Sequence, residues 1–299
     1  MSDNSSVVIG LDLGTSKTGA SVLEKNEDDG LWHCTHLDVV ETDQAFGHLS
    51  ELIDHPEQVI RIVVDAPIGR KDSVESYRPV DKLFMRGQFN NNHVGLQPNN
   101  PGLLNIDYSA LTASLRQEWG IAWSDDWDKA SSEARLMRET FPNPVLGMLF
   151  APEVIKEQRR LLRFRFGRGR NVPVVSAVWD LIAKQGTSPS FFDLLDQASA
   201  LDWSWLSQMS SDRMATSTEN RQGDDLIAAL TCALVGAHEV NGTAGHVRVT
   251  NDDESDFSAG HYLLPHRDHI HPRWLQELQR LTSEADFSSR IRHTYAQRE

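Results

Sequence analysis

The chain has 299 residues, enough for one large domain or two small ones with a fully formed core. Hydrophobic residues make up 39% and no apolar run approaches the ~20 residues of a membrane span, so a soluble globular protein is expected. A net charge of −14 excludes a protein that coats nucleic acid through bulk charge.

The opening MSDNSS is polar and carries no apolar signal region. Cys34 and Cys232 are the only cysteines and neither belongs to a CxxC, which excludes a disulfide framework or a zinc finger. The reducing cytoplasm is the expected compartment. "KEQRRLLRFRFGRGR", residues 156–170, holds seven Lys or Arg against one Glu, a local +6 that leaves the rest of the chain near −20. Such a segment is either a solvated helix face or a localised polyanion contact.

In chain order, residues 7–13, 19–23 and 32–40 read as three short strands separated by turn chemistry such as "KNEDDG". The first is apolar on both faces, as in a central strand covered on both sides. A helix of about three turns fits 43–54, and "IRIVVDAPIG", 60–69, is a buried strand ending in an acid. Residues 70–108 read as irregular, with "NNNHVGLQPNNPG" rich in Asn, Gly and Pro. Helical patterns follow at 109–119 and 131–138, and "RETFPNP" reads as a short strand broken by Pro142 and Pro144. Residues 152–165, 174–184 and 191–207 read as mostly helical. The clearest helix is 224–240, "DDLIAALTCALVGAHEV"; "GHYLLP" suits an edge strand and 272–284 a terminal helix.

Acids stand at the ends of these elements. Asp12 lies inside "VVIGLDLGTSKTG", Asp65 closes the buried strand at 60–65, Glu139 adjoins the short strand, and Asp224 and Asp225 open the last long helix. Flanked by small or apolar residues, they would repel one another unless they shared cations. Hard oxygen ligands of this kind suit Mg²⁺ or Mn²⁺. Counting from Asp225, positions 228, 229, 232 and 236 are Ala, Ala, Cys and Gly, a stripe that lets the helix press on a sheet and bring its first-turn acid near the strand acids. Each acid also has a plain structural reading: Asp224 as a helix cap, Glu139 as a surface partner of Arg138, Asp65 as a turn residue. Asp12 in mid-strand is the hardest to explain that way.

"IGLDLGTSKTG", "VVDAPIGR", "YRPVD", "ETFPNP", "DDLIAALTCAL" and "GHYLLP" occur in the order seen in a ribonuclease-H-like family of predicted nucleases, domain of unknown function 429, which this chain resembles over roughly residues 7–265. The resemblance implies an α/β fold: a five-stranded mixed sheet of order 3-2-1-4-5 with helices on both faces. It implies a single domain spanning 1–299, with its core at about 7–265, a long irregular and helical insertion at about 70–135, and a helical extension over 266–299. Asp12 and Asp65 match the family's first- and fourth-strand acids, Asp224 or Asp225 its helix acid, and Glu139 the Glu before an aromatic–Pro pair. Arg78 and Asp81 match its Arg–x–x–Asp segment.

The leading expectation is a metal-dependent nuclease or phosphodiesterase. Asp12, Asp65 and Asp225 would hold Mg²⁺ or Mn²⁺, with Glu139 and Asp224 in the catalytic set. Lys17, Arg78, Arg86, Arg163 and Arg165 would hold the phosphates of a DNA or RNA partner, and Phe164 and Phe166 would stack on unpaired bases. Homodimer formation is left open. Two alternatives compete. "GLDLGTSKTG" also resembles the first phosphate loop of sugar-kinase and actin-like ATPases, but no second such loop and no GG-containing adenosine segment follow. A ribonuclease-H-like scaffold without catalysis is the other. "HRDHIHPRW", 266–274, is a candidate zinc tract or a solvated loop.

Overall fold

Alternating side chains of the first strand, β1 (Val7–Leu13), feed two separate cores, and the rest of the fold follows from that placement. The computed structural model describes residues 5–65, 78–91, 109–123, 135–153, 190–196, 217–249, 260–288 and 290–295. The basic segment at 156–170, with Arg163, Arg165, Phe164 and Phe166, lies outside them, as do the helix expected at 174–184 and all but the first two residues of the one expected at 152–165.

β1 pairs antiparallel with β2 (Lys17–Lys25), which pairs antiparallel with β3 (Trp32–Glu41). On its other side β1 pairs parallel with β4 (Val59–Val64). β4 is followed outward by β6 (Leu136–Glu139) and by the two-residue β5 (Ala122–Trp123), both parallel. The mixed sheet therefore runs β3-β2-β1-β4-β6-β5. The expected 3-2-1-4-5 order is present, and the short β5 adds a sixth strand at the edge.

Val7, Ile9, Leu11 and Leu13 point to one face, where α1 (Ala45–Leu52) and α4 (Ser109–Glu118) contribute Leu49 and Leu115. (The other helices are α2 Pro79–Phe84, α3 Gly87–Asn91, α5 Pro142–Met148, α6 Ser217–Val240 and α7 Pro272–Thr282.) Val8 points to the opposite face, which α6 covers with Leu230, Ala233 and Leu234. Two glycines set how closely α6 lies. A Cβ on Gly10 would sit 2.0 Å from the carbonyl oxygen of Ala229, and one on Gly19 would sit 2.2 Å from that of Asp225. Farther along, a Cβ on Gly236 would meet Val63 and Val8 at 2.7 and 2.8 Å. Ala229, Cys232 and Gly236 of the small-residue stripe thus lie on the sheet, while Ala228 is half-buried. The matching small residues on the strands complete the contact.

Three sequence expectations are corrected. Residues 136–138, expected in a helix, form strand β6. Tertiary contact overrides their charged pattern: Arg138 is fully buried, and its Nε donates to Glu239 at 2.9 Å. Pro142 and Pro144 do not break a strand; they occupy the first turn of α5, where a missing N–H costs nothing. The expected helical C-terminal extension also contributes a strand. β9 (Ile291–His293) pairs with β7 (Ala244–Val249), whose other neighbour is β8 (His261–Pro265), giving a second sheet of order β8-β7-β9. "GHYLLP" is thus an edge strand, joined to the main sheet by the Thr140–Leu263 bridge.

Between the two sheets lies a buried charged cluster. Arg61 and Arg138 donate to opposite oxygens of Glu239 at 2.6 and 2.9 Å, and His246 and His261 lie against them with 3.0 Å between Nδ1 and Nε2. One histidine must donate and the other accept, so both cannot be protonated. Burial, reinforced by Arg138, Arg61 and Arg248, lowers His246 from 6.5 to about 3.

Two outcomes follow from this packing. Gly10→Ala should destabilise by roughly 3 kcal/mol through overpacking against α6. Gly47→Ala, on α1 with open space around it, should be neutral or stabilise by up to about 1 kcal/mol; urea denaturation of both variants checks the contrast. Because His246 takes up its proton far more readily when unfolded, its contribution is intact above pH 6.5 and declines as pH falls from 6.5 towards 3. His246→Gln should therefore flatten the loss of melting temperature between pH 7 and pH 4, as followed by circular dichroism.

Candidate metal centre at the strand ends

Asp12 and Asp65 come together because β1 and β4 are adjacent and parallel. Leu11 is in register with Val64, and the Asp65 N–H donates to the Leu11 carbonyl at 2.8 Å, so the two acids are the next residues along neighbouring strands. Strand alternation places both on the α6 side, as with Gly10 and Val63. Asp12 is in register with Gly19, over which Asp225 sits. The N-terminal part of α6 therefore lies at the same end of the sheet as both strand acids. Asp224 precedes Asp225 in α6, and its side chain lies outside the described residues.

Desolvation, with the nearby Glu139 charge, pushes the Asp65 carboxyl up to about 7. Its proton is thus held near neutrality. Asp65 and Asp12 in turn add to burial in raising the Cys232 thiol, which faces them from α6. Cys232 is a neutral packing residue and not a nucleophile.

Glu139 ends β6 in register with Val64, beside Asp65. It is buried, and Arg78 holds both its oxygens: Nη1 donates to Oε2 at 2.9 Å, and Nη2 donates to Oε1. The same guanidinium donates to both Asp81 oxygens, from Nε at 3.0 Å and Nη2 at 2.9 Å, and to the Tyr262 hydroxyl at 2.9 Å. Tyr262 donates in turn to Asp81. The Asp81 carboxylate also accepts from the Arg78 backbone N–H, so "YRPVD" is a capping box at the start of α2. One arginine thus ties α2 to β6 and β8.

The family of proteins of unknown function DUF429 matches residues 10–255, and this span holds the strand acids, the Arg78–Asp81 box, Glu139 and the acid-bearing start of α6. The chain belongs to the DUF429 family. No curated protein and no solved structure matches it. Tyr262, α7 and β9 of this DUF429 protein lie beyond the matched span.

The other expected site residues are dispersed. Lys17 begins β2, half-buried, 4.0 Å from Glu41. Arg86 lies above Phe287, 4.7 Å from the ring, with Asp286 at 3.2 Å and Glu284 at 3.6 Å. Arg78 is turned inward to the carboxylates described above. In the His-rich tract, His271 caps α7 and His269 packs 4.7 Å from the His238 ring. Among the described residues, the one trio of His, Cys, Asp or Glu whose ligand atoms all lie within 4.8 Å of one another is instead His36, Asp38 and His48. No helix of the described residues is long and apolar enough to cross a membrane.

Sequence reasoning reached Asp12, Asp65, Glu139 and Asp225 because an acid in an apolar run is conspicuous. It missed Tyr262, whose hydroxyl partner is 181 positions away in the chain, and the Arg61–Glu239–Arg138 cluster, whose members look like ordinary surface charges. Arg78→Met should cost about 3–5 kcal/mol by leaving Asp81 and Glu139 buried and unneutralised. Those carboxyls would then favour protonation, so the loss should be larger at pH 8 than at pH 5, read from denaturation midpoints.

Proposed function

We propose that this DUF429 protein is a metal-dependent phosphodiesterase, acting as a nuclease on DNA or RNA, with a ribonuclease-H-like arrangement. The observation that carries this reading is the register of β1 and β4, which sets Asp12 and Asp65 side by side on the face covered by the Asp225 end of α6. The strand order β3-β2-β1-β4-β6 is the one the resemblance implies.

The donor set fits Mg²⁺ or Mn²⁺. It consists of carboxylate oxygens, and Asp65 holds a proton up to about 7 that a divalent cation would displace. Asp12 and Asp65 would hold the ion, and Asp225 or Asp224 would complete the set. A cation there would activate water and stabilise the leaving oxygen of a phosphodiester. Glu139, fixed by Arg78, acts on Asp65 through its charge. Lys17, half-buried at the start of β2, is the described cation nearest in sequence to Asp12 and would meet phosphate.

The turn after Asp12 supports this reading over a nucleotide-phosphate loop. The Gly14 N–H donates to the Lys17 carbonyl at 3.0 Å, and the Thr42 hydroxyl donates to the Gly14 carbonyl at 3.0 Å. The loop is closed on itself and tied to the end of β3.

The deciding experiment incubates the protein with single-stranded and duplex DNA and RNA in Mg²⁺ or Mn²⁺. Asp12→Asn and Asp65→Asn should each lower cleavage at least about 100-fold while circular dichroism stays native. Cleavage that persists unchanged in both variants would sink the assignment. ATP turnover dependent on a small polyol, without cleavage, would favour the phosphotransferase reading.

A further inference from the structure

A β-bulge in the edge strand creates a second constellation of ligands. The register of β2 and β3 shifts between Leu23–Cys34 and Val22–His36, leaving Thr35 as the extra residue. Before the bulge, Cys34 shares the α6-side core with Leu23. After it, His36 and Asp38 are partnered by Val22 and Ala20, which belong to the α1-side core. The bulge therefore turns His36 and Asp38 towards α1, where His48 stands.

The two imidazoles meet through their Nε2 atoms at 3.2 Å, with ring centroids 5.2 Å apart and planes tilted by 52°. Zinc–imidazole bonds of about 2.0–2.1 Å at a tetrahedral angle separate the two nitrogens by about 3.3–3.4 Å. The observed spacing is close to that bite. Asp38 brings an oxygen within 4.8 Å of a ring nitrogen of each histidine, and its Oδ1 accepts from the Val39 N–H at 2.7 Å. An outer hydrogen bond of this kind is what orients a metal-binding carboxylate. The helix is held from its other side by buried Leu49 and by Phe46 against Trp119, so His48 is positioned without an ion.

We propose that His36, Asp38 and His48 form a divalent transition-metal site of the zinc type, with two imidazole nitrogens, one carboxylate oxygen and an open position for water. The mixed nitrogen and oxygen set distinguishes it from the all-carboxylate centre, which favours harder ions. It is also remote from that centre. His36 stands two strands over from β1, in register through Val22 with Ile9, which places its Cα about 14 Å from that of Asp12. His36 and Asp12 also lie on opposite faces of the sheet. The site stands whether or not the phosphodiesterase reading does. Burial, reinforced by the neighbouring His48, lowers the His36 pKa, which keeps the ring neutral and available as a ligand near pH 7. A bound ion would clip α1 to the edge strand and stabilise the folded state by mass action.

The test titrates the full chain, free of any histidine tag, with Zn²⁺ against a chelating indicator and with Co²⁺ followed by its visible absorption. One equivalent should bind at this site, beside any that the carboxylate centre takes, and His48→Gln and Asp38→Asn should each weaken its affinity at least tenfold with an unchanged circular dichroism spectrum. Both positions are accessible, so these variants keep the test valid even where His36→Gln fails to fold. Asp65→Asn should leave zinc affinity unchanged. Absence of Zn²⁺ and Co²⁺ binding by the folded wild type overturns the proposal. So does affinity unaltered by His48→Gln, or a loss produced by His269→Gln in its place.

Discussion

The near-contact of helix α6 with strands β1 and β2 is the constraint on which the rest of this structure depends. Carbonyl oxygens of Ala229 and Asp225 lie where a Cβ on Gly10 or Gly19 would stand, so backbone meets backbone at the centre of the sheet. That approach buries β1 on both faces and fixes the helix along its length, from Asp225 above Gly19 to Gly236 above Val63 and Val8. It also decides where the acids go. A helix held farther off by ordinary side chains would leave Asp225 remote from Asp12 and Asp65. Close packing here is thus a cause of the site as well as a source of stability.

Around this contact the protein distributes buried charge in two arrangements. On one side, Arg61 and Arg138 share Glu239 beside two histidines whose pKa values burial lowers, with Arg138 and Arg248 adding to the effect on both. On the other, Arg78 neutralises Asp81 and Glu139 together, with the Tyr262 hydroxyl completing the set. Each joins elements distant in sequence: β4, β6 and α6 in the first, α2, β6 and β8 in the second. Removing one partner from such a cluster leaves an uncompensated charge, so both act as strict conditions on how the two sheets meet. Asp65 is the acid next to these clusters that keeps its proton up to about 7, and a cation would resolve that imbalance.

Legibility in the sequence tracks the range of the interaction. The first three strands and β4 follow from apolar runs and turns, because adjacent residues decide them. Residues 136–138 carry a helical pattern yet form a strand, since that strand depends on Arg138 reaching Glu239, 101 positions away. Pro142 and Pro144 signalled a break and mark a helix start, because proline punctuates both and only the following residues distinguish them. The strand acids stood out, whereas His36, Asp38 and His48 did not. A bulge that adds one residue reverses which side the chain faces, and alternation alone contains no sign of it.

By itself, the sequence determined the mixed α/β class and which acids fall at element ends, since hydrophobic period and turn chemistry are local properties; the strand order came from the family resemblance and not from those patterns. Tertiary structure alone decided which acids become neighbours, which arginines are consumed in buried pairs, and that two histidines and an aspartate converge at the sheet edge. Those outcomes depend on register, on the depth of helix packing and on desolvation, all set by contacts between residues far apart in the chain.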